Sequence, residues 1–402
     1  MIRLTFRGLG LVTAAVALLI AAGTTGLRSL AWPGGLLIGL IVAAAVLNWR
    51  SARRPDAIRS LVPDRVAAGS TVRASLELRR DSVDLGAWGY LDETVPDGLG
   101  DTPTVPVASG QGRRRSRHPY EMETFVRGRY LIGPCLWTTN DPLGLTSRVR
   151  KVGGRSLLTV TPAIHPLGPA WTGAGTGLVG EAAQRRSSVL GPDDALIREY
   201  RPRDELRRIH WPSTARTGTL MVRREEHAWE PSALILLDNR QAAHVGTGPR
   251  SSFEWAVSAA ASIGMQLLDA GYEVGLVDAA GHRLDTDGDT AREALLDHLT
   301  DSTLTDTGDL GDALHAEGSR AQLLIAILGR LRPADAIALT TARRHGTQCR
   351  AIVVQAVESG STETGLDDPV AILLGNGWQV VANAGVRGIP QAWDALRDGA
   401  RR

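Results

Sequence analysis

Ala233-Leu234-Ile235-Leu236-Leu237-Asp238 is an apolar run that stays unbroken until its last residue. A strand with one face in water alternates apolar and polar side chains. A strand covered on both faces does not, and reads as a continuous apolar run. The same reading extends toward the C-terminus. A helix is expected over 253–270, ended by Gly271, and a strand over 272–278. A helix over 291–299, a strand over 323–328 and a helix over 333–344 follow, with Gly346 beyond. The chain closes with a strand over 350–354, a helix-like turn over 370–374, a strand over 378–382 and a helix over 389–397. Regular β-α alternation implies a parallel, doubly wound α/β sheet over 231–402. Two tracts, 304–319 and 358–368, are polar and acidic and read as solvated loops.

Upstream the period changes. In the run Thr71-Val-Arg-Ala-Ser-Leu-Glu-Leu, residues Val72, Ala74, Leu76 and Leu78 fall on one face, the mark of a half-buried strand. Further strands are expected over 87–92, 120–125, 128–132 and 155–161, punctuated by Pro and Gly. Short strands at this spacing imply a small β-sandwich-like domain over 51–165. The very basic stretch Gly112-Arg-Arg-Arg-Ser-Arg-His118 reads as a hairpin loop, without the interleaved aromatics of a base-stacking surface.

Further upstream, stretches 8–27 and 30–48 carry no charge, and each approaches the roughly 20 residues that a membrane-crossing helix needs. Only Arg28 and Ser29 separate them, so 1–50 reads as a transmembrane helical hairpin. Gly34, Gly35 and Gly39 suit close helix packing, and Trp32 and Trp49 suit the interfaces. Arg3 and Arg7 precede the first helix; Arg50, Arg53, Arg54 and Arg59 follow the second. The positive-inside rule then puts both termini and all of 50–402 in the cytoplasm, on the inner face of a bacterial cell membrane.

Composition limits the function classes. The net charge of +2 among 402 residues excludes a globally basic nucleic-acid protein. Lys151 is the single lysine, and no Gly-rich phosphate loop with Lys follows any strand, so a Walker-type ATP site is excluded. Two cysteines, Cys135 and Cys349, make neither a disulfide framework nor a four-ligand zinc site, and read as partly buried free thiols.

Between the β-rich and α/β parts, residues 166–230 read as a linker that carries a dense signature. It runs Arg198-Glu199-Tyr200-Arg201-Pro202-Arg203-Asp204-Glu205-Leu206-Arg207-Arg208-Ile209-His210-Trp211 and continues through Arg216, Gly218 and Arg223. A short helix is expected over 204–211, with Asp204 as N-cap and Pro212 ending or interrupting it. A turn at Thr217-Gly218 then leads into a strand over 219–224. Interleaved acids and arginines suit an internal ion-pair network, a docking surface, or an anion site. His210 with Ser213 or Thr214 is the one arrangement that resembles a base and nucleophile, but no Gly-x-Ser-x-Gly elbow surrounds either hydroxyl.

With the earlier run Arg127-Gly-Arg-Tyr-Leu-Ile-Gly-Pro134 and Asn140-Asp-Pro-Leu-Gly-Leu145, this signature closely resembles the bacterial family catalogued as domain of unknown function fifty-eight. The resemblance implies a β-rich domain followed by a von Willebrand factor A-like α/β domain. It also implies genomic company with a MoxR-type AAA+ ATPase and a transglutaminase-like membrane protein. It implies no biochemical activity. The chain departs from the family at Arg203, where Gly is usual, and at Thr214, where Ser is usual.

Metal-binding von Willebrand A-like domains carry Asp-x-Ser-x-Ser after the first strand. Here the stretch is Asp238-Asn239-Arg240-Gln241-Ala242. Both hydroxyl positions are lost, and Arg240 brings a charge that repels a divalent cation or pairs with Asp238. The expectation is a metal-independent interaction surface at this strand-end face, with no cofactor. The leading functional expectation is a non-enzymatic, membrane-tethered adaptor for a protein partner such as a MoxR-type ATPase. A hydrolase using His210, or an anion or nucleic-acid binder using the Arg clusters, are the alternatives.

Overall fold

The computed structural model describes residues 2–50, 56–79, 88–100, 104–107, 115–170, 197–200, 209, 211–223, 231–286, 288–306, 308–315, 321–342, 347–355 and 368–399. The chain forms two compact units, Met1–Ala163 and Ile164–Arg402.

The first unit begins with strand β1 (Ile2–Leu4), then helix α1 (Phe6–Thr25), a short 3-10 turn at Arg28–Leu30 and helix α2 (Ala31–Arg50). Both helices are long and apolar enough to cross a membrane. At 1.5 Å per residue, 20 residues span about 30 Å, the thickness of a hydrocarbon core. α1 starts two residues before its uncharged stretch because Thr5 caps it: the Thr5 hydroxyl accepts a hydrogen bond from the Gly8 N–H at 3.2 Å.

Ten strands follow: β2 (Asp56–Val62), β3 (Arg65–Ala67), β4 (Thr71–Arg79), β5 (Trp88–Asp92), β6 (Thr104–Val107), β7 (Arg115–Glu123), β8 (Gly128–Ile132), β9 (Cys135–Asn140), β10 (Thr146–Val152) and β11 (Ser156–Thr161). They form sheets of order β1-β10-β9-β5-β6, β3-β11-β8 and β2-β4-β7. The alternating face of β4 is buried as its period requires. Leu76 and Leu78 pack with Leu91, Cys135 and Trp137, and Val72 and Ala74 pack with Leu99, Ile132, Leu158 and Val160. One expectation fails here. The basic stretch is not wholly a loop, because Arg115 to His118 lie in β7 and pair with Leu76 to Arg79 of β4.

Within this core lies a polar knot. Arg59 donates from Nε and Nη2 to the Glu93 carboxylate at 3.0 and 2.5 Å, and from Nη1 to the carbonyl of Ile132 at 2.9 Å. Tyr120 donates its hydroxyl to Glu93 at 2.8 Å, and Arg59 Nη2 lies 3.2 Å from Cys135 Sγ. The Arg59 and Glu93 side chains are each 3% exposed. Arg59 is therefore a structural charge, not one of the juxtamembrane basic residues. Burial, reinforced by Glu93, pushes the Cys135 thiol up to about 11, which leaves it inert at neutral pH.

The second unit carries a hairpin of β12 (Ile197–Glu199) and β13 (Met221–Arg223), and a six-stranded sheet. The sheet comprises β14 (Ser232–Leu237), β15 (Glu273–Asp278), β16 (Arg283–Asp285), β17 (Leu323–Arg330), β18 (Gln348–Gln355) and β19 (Gln379–Val381) in the order β16-β15-β14-β17-β18-β19. All neighbours are parallel except the edge strand β16. Ala233, Ile235 and Leu237 face helices Ser252–Asp269, Ala291–Asp301 and Ile389–Asp398. Leu234 and Leu236 face helices Leu310–His315, Pro333–Ala342 and Pro369–Gly375. Covering both faces explains the unbroken apolar run of β14.

Two sequence expectations are corrected in this unit. Leu310–His315, within a tract read as a solvated loop, is helical and buries Leu310, Ala313 and Leu314. Residues 166–170, part of the expected linker, lie on the α/β core: Trp393 Nε1 donates to the Gly168 carbonyl at 3.0 Å, and Ala170 is buried beside it. The other acidic tract falls, apart from Asp368, outside the described residues.

Candidate functional site at the strand ends

The strand order reverses between β14 and β17, which lie side by side and whose connections leave toward opposite edges of the sheet. In open parallel sheets the crevice outside the carboxyl ends at such a point is where ligands bind. Asp238 stands there, at the end of β14, fully buried.

A guanidinium fills the place next to it. Arg240 donates from Nε to Asp238 Oδ1 at 2.9 Å and from Nη2 to Asp238 Oδ2 at 3.0 Å, a two-pronged ion pair. Its Nη1 donates to Asp335 Oδ1 at 2.8 Å. Asp335, in the first turn of helix Pro333–Ala342, also accepts from the Arg332 backbone N–H at 3.0 Å and from Arg332 Nε at 3.1 Å. Asp238 Oδ2 accepts in addition from the Gly329 N–H at 3.2 Å. Burial opposes charge on Arg240, but the bonds to Asp238 and Asp335 outweigh it and hold the group above its usual range. At Asp335 burial likewise works against the charged form, yet the bonds from Arg332 and Arg240 win and hold the carboxyl below its usual value.

The surrounding loops close over this centre. Gln241 N–H donates to the Thr305 carbonyl, and Thr305 N–H to the Asn239 carbonyl, each at 2.8 Å. The turn Gln241–Ala243 lies so close to β17 that a Cβ on Gly329 would sit 2.3 Å from the Ala243 carbonyl oxygen. His244 Nε2 lies 2.6 Å from the Asp238 carbonyl oxygen and so donates to it, which leaves Nδ1 to accept from the Ser252 hydroxyl at 3.0 Å. Burial keeps this imidazole neutral by lowering its pKa. Beside it, Asn239 Nδ2 donates to Asp278 Oδ2 at 3.0 Å, and His282 donates its backbone N–H to Asp278 Oδ1 at 2.9 Å.

This arrangement does not fit a divalent cation. Both oxygens of Asp238 are taken by a cation the chain itself supplies, and positions 240 and 242 are Arg and Ala, not hydroxyls. Asp238, Asn239 and Arg240, expected at the interaction surface of this face, lie beneath it. They are 0, 2 and 7% exposed, and their side chains face inward. What this face offers to solvent is carried by the neighbouring loops: Val245 is 44% and Leu304 40% exposed, and the Arg332 side chain 71%.

The signature forms a second feature of this unit. Arg198 and Glu199 lie on β12, opposite Val222 and Met221 of β13; Arg223 lies opposite Ile197. Tyr200 continues the pairing through its N–H to the Leu220 carbonyl at 2.8 Å. Between the strands a helix spans Trp211–Thr217, while of the helix expected over 204–211 all but Ile209 and Trp211 lie outside the described residues. Pro212 stands in the first turn of this helix, where its missing N–H costs nothing. Gly218 ends that helix with a φ of +76°, so the expected turn is present. Trp211 is 65% exposed and Arg216 stands in the last helical turn. The Thr214 hydroxyl accepts from the Met221 N–H at 3.0 Å, tying helix to strand. Asp204, Arg207, Arg208 and His210, and with them the expected ion-pair network, lie outside the described residues, as does Arg203.

Sequence reading brought Asp238 and Arg240 together but missed Asp335, Arg332 and His244. Asp335 is 95 residues away, and only the sheet order makes it a neighbour. The Pro-x-Asp at a helix start was its one local signal.

Residues 196–357 match the family described as "Protein of unknown function DUF58". The match takes in the signature hairpin and the sheet from β14 to β18. No curated protein matches the chain.

Proposed function

We propose that this protein is a membrane-anchored docking protein and not an enzyme. In this reading α1 and α2 span the inner membrane of a bacterium, with both ends and the two soluble units in the cytoplasm. The second unit is von Willebrand A-like and binds a protein partner, a MoxR-type AAA+ ATPase, at the strand-end face.

One observation supports it above others. The crevice where such a sheet would place a metal or a reacting group is filled by the Arg240 guanidinium between Asp238 and Asp335. A centre closed by its own ion pairs holds the loops above it in fixed positions, which suits recognition rather than turnover. The sheet order, with one antiparallel edge strand and five parallel strands, supports the von Willebrand A-like reading. The basic residues flanking the helix pair, with only Arg28 in the turn, support the orientation. Exposed Val245 and Leu304 on the loops beside Arg240 are the contacts we assign to the partner.

The test is affinity between the purified full-length protein and the ATPase. Val245→Glu with Leu304→Glu changes exposed side chains only, so the fold persists while a charge enters the contact. Binding lost in this variant, with thermal stability unchanged, supports the reading. Binding unaffected by it, or no binding by the unaltered protein, overturns the assignment of this face.

A further inference from the structure

The run Asn140-Asp-Pro-Leu-Gly-Leu145 has no part in the strand-end site, yet it is built with care. Asp141 is fully buried and folds the loop on itself, accepting from the Leu143 N–H at 2.9 Å and from the Thr146 hydroxyl at 2.9 Å, and also from the Thr146 N–H. Gly144 takes a φ of +69°, which closes the turn.

The loop is fastened to α1, and Thr146, the residue that follows it, is fastened to α2. At α1, the Thr5 hydroxyl donates to the Gly144 carbonyl at 2.6 Å, and the Thr5 N–H donates to the Leu145 carbonyl at 3.0 Å. Gly8, inside the first turn of α1, lies so close that a Cβ there would sit 2.2 Å from the Leu145 oxygen. At α2, Asn48 is 1% exposed and donates from Nδ2 to the Thr146 hydroxyl at 3.0 Å. β1 pairs with β10 immediately beyond, so the chain has no slack between sheet and helix.

The large apolar side chains exposed at this end of the hairpin include Phe6 at 95%, Trp49 at 65% and Leu143 at 48%. Phe6 and Trp49 stand at the helix ends, and Leu143 at the tip of the loop fastened there. A loop held to the first turn of one helix, and through Thr146 to the last turn of the other, is within about 5 Å of the span ends. The polar layer of a bilayer leaflet is about as thick as that distance. A Cβ on Gly144 would lie 3.9 Å from Arg7 Nη1, so a guanidinium stands at the same level.

We infer that the Asn140–Leu145 loop is a membrane-interface element of the β-rich unit, with Leu143 inserted at the headgroup–acyl boundary of a glycerophospholipid leaflet. The inference rests on the reading of α1 and α2 as membrane spans. Its surface is continuous with the lipid-facing surface of the hairpin, and Arg7 supplies the charge that meets lipid phosphate. The β-rich unit then lies flush on the membrane instead of swinging on a tether.

The test uses full-length protein in nanodiscs of phosphatidylcholine and phosphatidylglycerol, with a nitroxide at one of three exposed positions: Leu143→Cys, Ile20→Cys within α1, and Leu157→Cys on β11. Cys135 and Cys349 are buried, and the unsubstituted protein gives the labelling blank. Collision of each nitroxide with oxygen is compared with collision with a water-soluble nickel chelate. The expected result is an oxygen-to-nickel ratio at 143 several-fold above that at 157 and approaching that at 20. A ratio at 143 equal to that at 157, with 20 still in lipid, overturns the inference and leaves the spanning hairpin intact. A water-exposed position 20 overturns the spanning reading and the inference with it.

Discussion

Replacing Arg240 by serine should turn a self-sufficient centre into a cation-dependent one. Asp238 and Asp335 are 0 and 4% exposed, and Arg240 is the only group that bridges them among the described residues. Arg332 remains beside Asp335 but does not reach Asp238. Asp238 would keep the Gly329 N–H and the residue-240 N–H, each at 3.2 Å, against a full buried charge. Removing one partner of a buried ion pair costs about 3–5 kcal/mol. At 1.4 kcal/mol per decade, amide exchange in β14 and β17 should quicken by roughly a hundred- to a few-thousand-fold, read by mass spectrometry on the full-length protein. Serine also restores a hydroxyl two residues after Asp238, beside two carboxylates with no bridging cation. Magnesium should then slow exchange again in Arg240→Ser, by about 2.7 kcal/mol at a hundred times its dissociation constant, and leave the unaltered protein unchanged. Exchange in Arg240→Ser equal to that of the unaltered protein would refute the claim that the guanidinium holds this centre. Stabilisation of the unaltered protein by magnesium would refute the claim that it stands in for a metal.

Acid should weaken the second unit in a defined window. Burial lowers the pKa of both His244 and His298. The unfolded chain takes up these protons near pH 6.5 while the folded one does not, so stability holds above that pH and falls as pH drops below it, by at most about 1.4 kcal/mol per pH unit for each histidine. A chemical-denaturation series across this range measures the slope, and His244→Gln should flatten it. In the first unit, Arg59→Met or Glu93→Gln alone should each destabilise by roughly 3–5 kcal/mol, while the double variant should cost less than their sum, as a double-mutant cycle would show. The Cys135 thiol, raised to about 11, should resist maleimide at neutral pH until the β-rich unit unfolds.

Legibility in the sequence followed burial geometry. In the α/β sheet, β14, β15, β17 and β18 appear within one or two residues of their expected places, because strands covered on both faces are written as apolar runs. β16 was missed. It is a three-residue edge strand, Arg-Leu-Asp, and one-sided burial leaves no such run. Helix Leu310–His315 hid in an acidic tract, though its Leu310, Ala313 and Leu314 carry the i, i+3, i+4 spacing of a buried helical face. β9 and β10 were overlooked because Thr139, Asn140, Arg148 and Lys151 make them look like loop. Asp141, just beyond β9, is polar because it folds the loop that follows. At the candidate site, the pairing of Arg240 with Asp238 was within reach of sequence, since the two residues are neighbours. The bridge to Asp335 and the knot of Arg59 with Glu93 were not, since topology alone brings those charges together.

The claim that the strand-end face is a docking surface meets its most direct test in native membranes. A photo-reactive side chain is placed at Leu304, beside the Arg240 centre, or at Leu374 on helix Pro369–Gly375, which is 52% exposed. Irradiation should give an adduct with the MoxR-type ATPase from position 304, absent from position 374 and lost when Val245→Glu is added. No ATPase adduct from 304, or equal adducts from 304 and 374, would contradict the account.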